Sequence, residues 1–163
     1  MVYSWKETER EDSMKLAEAL QERADLNRKI DDLKRRLGRN ILVQEGEAPA
    51  EDPTMLLSEL DTAIDRLESL MAAVNRTNGR TRVNGMTLTE LIAKKDALNL
   101  RISAYRDAVY TASENTSRAR GTEIRVKALL SAAELQKQAD ALSADLRKLD
   151  NLLQETNWKT ELK

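Results

Sequence analysis

Apolar residues in this chain recur at steps of four and three, in four separate stretches. The clearest run is Leu56, Leu60, Ile64, Leu67, Met71 and Val74, closed by the polar Asn78. Such spacing holds side chains on one side of an α-helix, whereas a half-buried strand needs alternation by two. A helix with one apolar stripe has to bury it lengthwise against another helix, so the pattern predicts paired helices before any other feature is read. On this register a carboxylate at Ile64 or Leu67 unfolds the domain. Asp52-Pro53 supplies a cap and a first-turn proline for this helix, and Gly79 sits where a left-handed cap is expected. Thr81–Leu88 then sets Asn84-Gly85 between two short runs, a strong hairpin signal.

The other stretches complete the plan. Residues 1–13 form a polar, net acidic extension with Tyr3 and Trp5 as its sizeable apolar groups, and 14–163 reads as one helical domain. Ser13 is a possible cap for a first helix over Met14–Gln44, striped by Leu16, Leu20, Ile30, Leu33, Leu37 and Ile41. Gly46 to Pro53 breaks it with a loop short enough to make the first two helices antiparallel neighbours. Thr87-Leu88-Thr89-Glu90 is a capping box for a third helix, seamed by Leu91, Lys95, Leu98, Ile102, Tyr105 and Val109. A polar linker, Ser113–Thr122, leads to Glu123–Leu130, whose alternation fits a short strand. Ser131-Ala132-Ala133-Glu134 opens a fourth helix with Leu135, Ala139, Leu142, Leu146, Leu149 and Leu153 on one side, and Trp158 is expected to fold back over its end. The predicted fold is mainly α: an elongated bundle of four long amphipathic helices in two antiparallel helical hairpins, with a small β-hairpin and one further short strand.

Composition agrees and closes off much chemistry. With 24 Leu, 20 Ala and no Phe, packing rests on aliphatic knobs instead of the aromatic and β-branched residues of a sandwich. Cysteine and histidine are both absent, which removes disulfides, thiolate and imidazole catalysis and Cys/His metal sites. A net charge of −1 gives no general field to draw in nucleic acid or an anionic membrane. No apolar run approaches the ~18 residues of a spanning helix, and the N-terminus lacks a signal-peptide core, so a cytoplasmic protein is expected.

Two basic groups are the candidate sites. Asn75, Arg76, Asn78, Arg80 and Arg82 lie in a stretch without acids as far as Thr89, and their guanidinium and amide donors suit a small phosphate or carboxylate. The competing reading has the asparagines capping helix ends and the arginines pairing with acids nearby. Arg118, Arg120, Arg125 and Lys127 form a secondary basic patch. Without aromatic residues for base stacking in either group, nucleic acid is the less favoured partner. The acidic loop Glu45–Asp52 does not reproduce a calcium-loop spacing, and no catalytic constellation, metal site or cofactor is assigned.

Glu22-Arg23-Ala24-Asp25-Leu26, Val43-Gln44-Glu45-Gly46-Glu47, Pro49-Ala50-Glu51-Asp52-Pro53 and Asn75-Arg76-Thr77-Asn78 occur in order. With Leu135–Asp140 and Asn157–Leu162 they make the chain similar to a family of small bacterial helical proteins labelled septicolysin, over about residues 14–162. The first 13 residues and Gly121-Thr122 depart from that pattern. The resemblance implies a shared fold, and its label implies cytolysis, but it carries no catalytic residues across. The leading functional expectation is a non-enzymatic structural or interaction protein that self-associates, most simply as a dimer in which the 81–88 hairpin pairs with a strand at 123–130. An anion- or nucleic-acid-binding module built on the arginines is the alternative.

Overall fold

The computed structural model describes residues 14–114 and 126–163, and the expectations for 1–13, including the Ser13 cap, lie outside them. Four helices carry the fold: α1 Leu16–Asn40, α2 Pro53–Arg80, α3 Leu88–Ser113 and α4 Ala132–Lys159. Between α2 and α3 stands a two-stranded antiparallel hairpin, β1 Arg82–Val83 and β2 Met86–Thr87. The chain divides into two compact units, one of residues up to Thr81 with Thr156–Lys163, the other Arg82–Glu155.

In the first unit α1 and α2 pack along their length. Helix α1 opens with the Glu18 carboxylate accepting from the Lys15 backbone N–H at 2.6 Å. It stops at Asn40, four residues short of the expected Gln44. Asn40 is buried, donates to the Arg36 carbonyl at 2.9 Å and accepts from the Glu51 N–H at 3.0 Å, which turns the chain toward α2. Beyond it Ile41, Leu42 and Val43 are exposed, and the β-branched Ile41 and Val43 would lose side-chain freedom in a longer helix without burial to offset it. Asp52 caps α2 through Thr54 N–H at 2.8 Å, with Pro53 at its first position.

The α2 seam differs from the expected one. Its buried residues are Leu56, Leu60, Ala63, Leu70, Val74 and Thr77, with Leu67 half-buried between them. This run keeps strict steps of four and three. The expected run took two steps of four through Ile64, which carries a position about 80° round the helix and off the contact line. Ile64 and Met71 are accordingly 44% and 45% exposed, and a carboxylate at Ile64 meets solvent instead of core. Gly79 is no cap either. It lies inside α2, which runs on to Arg80, and only Gly46 and Gly85 among the described glycines take positive φ. At the far end of α2 the C-terminal segment closes the unit. Leu16 N–H donates to the Thr160 carbonyl and Leu162 N–H to the Met14 carbonyl, both at 2.8 Å. Thr77, fully buried, donates to the Ala73 carbonyl and accepts from Lys163 N–H at 2.8 Å.

The second unit follows the sequence more closely. Asn84 (φ 52°) and Gly85 (φ 84°) form the tight turn, with Arg82 opposite Thr87 and Val83 opposite Met86, as a two-residue loop with both φ positive requires. Thr87 and Glu90 make the reciprocal capping box of α3. Leu88, Leu91, Leu98 and Ile102 are buried on α3, and Ala139, Leu149 and Leu153 on α4. The Lys95 ammonium on α3 meets the Asp150 carboxylate on α4 at 2.6 Å. The strand expected at 123–130 is not formed where it is described: residues 126–130 are irregular, and Val126, Leu129 and Leu130 are exposed. Glu134 N–H reaches the Ser131 hydroxyl at 3.4 Å at the head of α4. Trp158 does not fold back; it stands in the last turn of α4, 55% exposed.

Urea unfolding separates these registers. Leu70→Asp should cost several kcal/mol or abolish folding, because it buries an unpaired carboxylate. Leu100→Ala, at a position 74% exposed, should stay within about 0.5 kcal/mol of the parent. Thr87→Ala should cost about 1 kcal/mol through its lost cap.

Candidate functional site

The expected anion site falls on the last two turns of α2 and the start of β1. Asn75, Arg76 and Arg80 are exposed and Asn78 is half-exposed. Arg76 and Arg80, four residues apart, share one side of the helix. Neither forms an ion pair among the described residues. Arg82 is occupied differently: its guanidinium donates to the Gly85 carbonyl at 3.0 Å and braces the hairpin turn. The asparagines do not cap α2, which ends at Thr81 with that residue's N–H on the Thr77 carbonyl. Of the secondary patch, Arg118, Arg120 and Arg125 lie outside the described residues. Lys127 is exposed and borders an open pocket of about 510 Å³, which is lined chiefly by Ala108, Ala112, Val126, Leu129, Leu130 and Leu135.

The acidic loop is spent on structure. Asp52 caps α2, and Glu51 receives a two-pronged hydrogen bond from the Arg36 guanidinium, with Nε to Oε2 at 3.1 Å. That bond holds the Glu51 carboxyl below its ordinary value of 4.5 and raises the Arg36 guanidinium. The Glu90 carboxyl is likewise lowered, by the Thr87 backbone N–H and then the Thr87 hydroxyl. Among the described residues no group of three Asp or Glu side chains is arranged to hold a metal ion, and no helix is long and apolar enough to cross a membrane.

A different surface escaped the sequence reading. The flanks of the α1–α2 seam are unlike. One is stitched by ion pairs, Glu22–Arg66 at 2.6 Å, Lys29–Glu59 at 2.8 Å and Arg36–Glu51. The other carries Leu57, Ile64 and Met71 at seven-residue intervals, 48%, 44% and 45% exposed. The signal is present in the spacing, but the predicted buried stripe includes two of these residues, Ile64 and Met71. Once Ala63 takes that place, they emerge as a second stripe beside it.

Comparison with known proteins places the chain without explaining it. Residues 23–162 match a family described only as of unknown function (DUF6847). The crystal structure of a functionally unknown conserved protein from Corynebacterium diphtheriae is 36% identical, with a TM-score of 0.85 over 92% of this chain and 99% of the other. No curated protein matches. Neither finding carries a septicolysin label, so that resemblance does not stand and the cytolytic expectation drawn from it falls with it. Short runs such as Glu22–Leu26 are ordinary amphipathic-helix segments, which many unrelated helical proteins share.

The Glu51 shift sets a pH dependence. Its carboxyl is depressed in the folded state, so its contribution is full above the unfolded value near 4.5 and is lost as pH falls through the lower folded value. Melting temperature should therefore drop on acidification below about pH 4.5, and Glu51→Gln should flatten that slope in a pH-resolved thermal melt.

Proposed function

The chain belongs to this family of unknown function, and we propose that it acts as a non-enzymatic interaction protein that associates with itself through its helices. The observation that carries this reading is the row of exposed apolar residues on α2, Leu57, Ile64 and Met71. Single exposed leucines are ordinary on a protein surface, but a row at seven-residue spacing is what a helix presents to another helix. The strand route to association has lost its support, because residues 126–130 are irregular and the hairpin has only two residues per strand. The seams of α3 and α4 follow the same 4-3 spacing, and an assembly built on helix contacts needs no further element.

Anion binding at Arg76 and Arg80 is the second reading, favoured by two exposed guanidiniums on one side of α2 with no acid partner among the described residues. Arg82 adds nothing to it while it holds the Gly85 carbonyl. Light scattering behind a sizing column tests the first reading. A mass of twice 18.4 kDa at micromolar concentration is expected, and a mass of 18.4 kDa rejects it. Titration with generic DNA and RNA at rising salt tests the second. Binding that weakens steeply with salt and is lost in Arg76→Ala/Arg80→Ala would favour it.

A further inference from the structure

The free flank of the α1–α2 hairpin carries charges as well as apolar residues, and their order across the surface selects one geometry. Stepping outward on α2 from the Leu57, Ile64, Met71 stripe, the next positions are Asp61 and Glu68; stepping across the seam to α1, the flank opposite Glu22, Lys29 and Arg36 holds two bases, Arg23 and, nearer the loop, Lys34. Arg23, Lys34, Asp61 and Glu68 are exposed, and none forms an ion pair among the described residues. The other flank, by contrast, is closed by three ion pairs. Resting on the self-association reading above, we infer that the occupant of this surface is a second copy of the same surface, with the two α2 helices parallel about a two-fold axis running along them.

The argument is one of charge placement. An isologous contact presents the same surface from both copies. If the axis runs along α2, the stripe meets itself residue for residue: Leu57 on Leu57, Ile64 on Ile64, Met71 on Met71. The outer edge of each α2 then faces the partner's α1. Arg23 lies level with the interval between Asp61 and Glu68, because the pairs Glu22–Arg66 and Lys29–Glu59 fix the alignment of the two helices. Each copy thus brings a guanidinium to two carboxylates of the other. If the axis runs across α2, the helices are antiparallel. Ile64 still meets itself, but Asp61 falls opposite Glu68 and the like charges repel. The apolar stripe alone admits both arrangements; the charges admit the parallel one.

The absence of cysteine from the chain makes the test direct. Leu57→Cys, Ile64→Cys and Met71→Cys are made singly in the full-length protein, with Leu100→Cys as an exposed control on α3. Each is oxidised at micromolar concentration, and covalent dimer is followed on a non-reducing gel. The parallel geometry predicts that all three α2 variants cross-link, roughly tenfold or more faster than the control, because association raises the local thiol concentration toward millimolar. Cross-linking of Ile64→Cys alone overturns the parallel arrangement. If the unmodified protein has the mass of a dimer but no α2 variant cross-links faster than Leu100→Cys, this surface is wrong while self-association stands. If the unmodified protein has the mass of one chain, self-association fails and this inference fails with it. A charge reversal adds a readout independent of thiols. Arg23→Glu should shift the protein toward the monomer mass, and Asp61→Lys with Glu68→Lys in the same chain should restore the dimer. Failure of the reversal to weaken association removes the charge argument.

Discussion

Each helix here has an apolar seam that it must bury against a neighbour, and the register of α2 shows how tightly that binds the rest. Its seam runs Leu56, Leu60, Ala63, Leu67, Leu70, Val74, Thr77. Two of these are not obvious core residues. Ala63 has a side chain small enough to sit at the line of closest approach, between larger neighbours one turn on either side. Thr77 brings a hydroxyl into the seam at no cost, because it donates to Ala73 and accepts from Lys163, and a buried hydroxyl with both roles filled carries no desolvation debt. The same bond ties the last residue of the chain to α2. The C-terminal segment then pairs with the start of α1 through Leu16–Thr160 and Leu162–Met14, so the two termini of the described chain and the end of α2 form one hydrogen-bonded closure.

The opposite end of the α1–α2 hairpin is closed by Asn40, Arg36 and Glu51. Asn40 stops α1 by satisfying one carbonyl and one N–H that the turn leaves open, and Arg36 reaches across to a residue just ahead of α2. These contacts, with the Lys29–Glu59 and Glu22–Arg66 pairs, lie along one flank of the seam. Half-exposed ion pairs of this kind contribute little stability each. Their consequence is geometric: they set which residues of α1 and α2 stand level. Among the described residues no ion pair joins α1 to α2 on the other flank.

Part of the candidate site was legible in the sequence. The basic stretch from Asn75 to Arg82 is where it was expected, and Arg76 and Arg80 are exposed there. The occupation of Arg82 by the Gly85 carbonyl was not legible, because it depends on the hairpin folding back over its own first strand. The cap at Asp52 was legible, but Glu51 beside it looks like part of an acidic loop, and its bond to Arg36 depends on α1 lying alongside. The exposed α2 stripe was hidden for a related reason. Ile64 and Met71 are the bulkier choices, and a reading by residue type prefers them to Ala63.

What the chain determined by itself is local. The Asn84-Gly85 turn, the Thr87–Glu90 capping box, the Asp52-Pro53 start and the seams of α3 and α4 all depend on residues within a few positions of one another, and backbone sterics or adjacent donors decide them without help. Where local signals were balanced, packing decided. Helix α1 ends at Asn40 because Glu51 is there to meet it. Gly79 stays helical, and α2 continues to Arg80, while Thr77 is held by Lys163. Ala63 outranks Ile64 because the line of contact with α1 passes through it. Residues 126–130 form no strand in the described chain, although their alternation invites one. A strand needs a partner edge, and alternation in sequence cannot supply one.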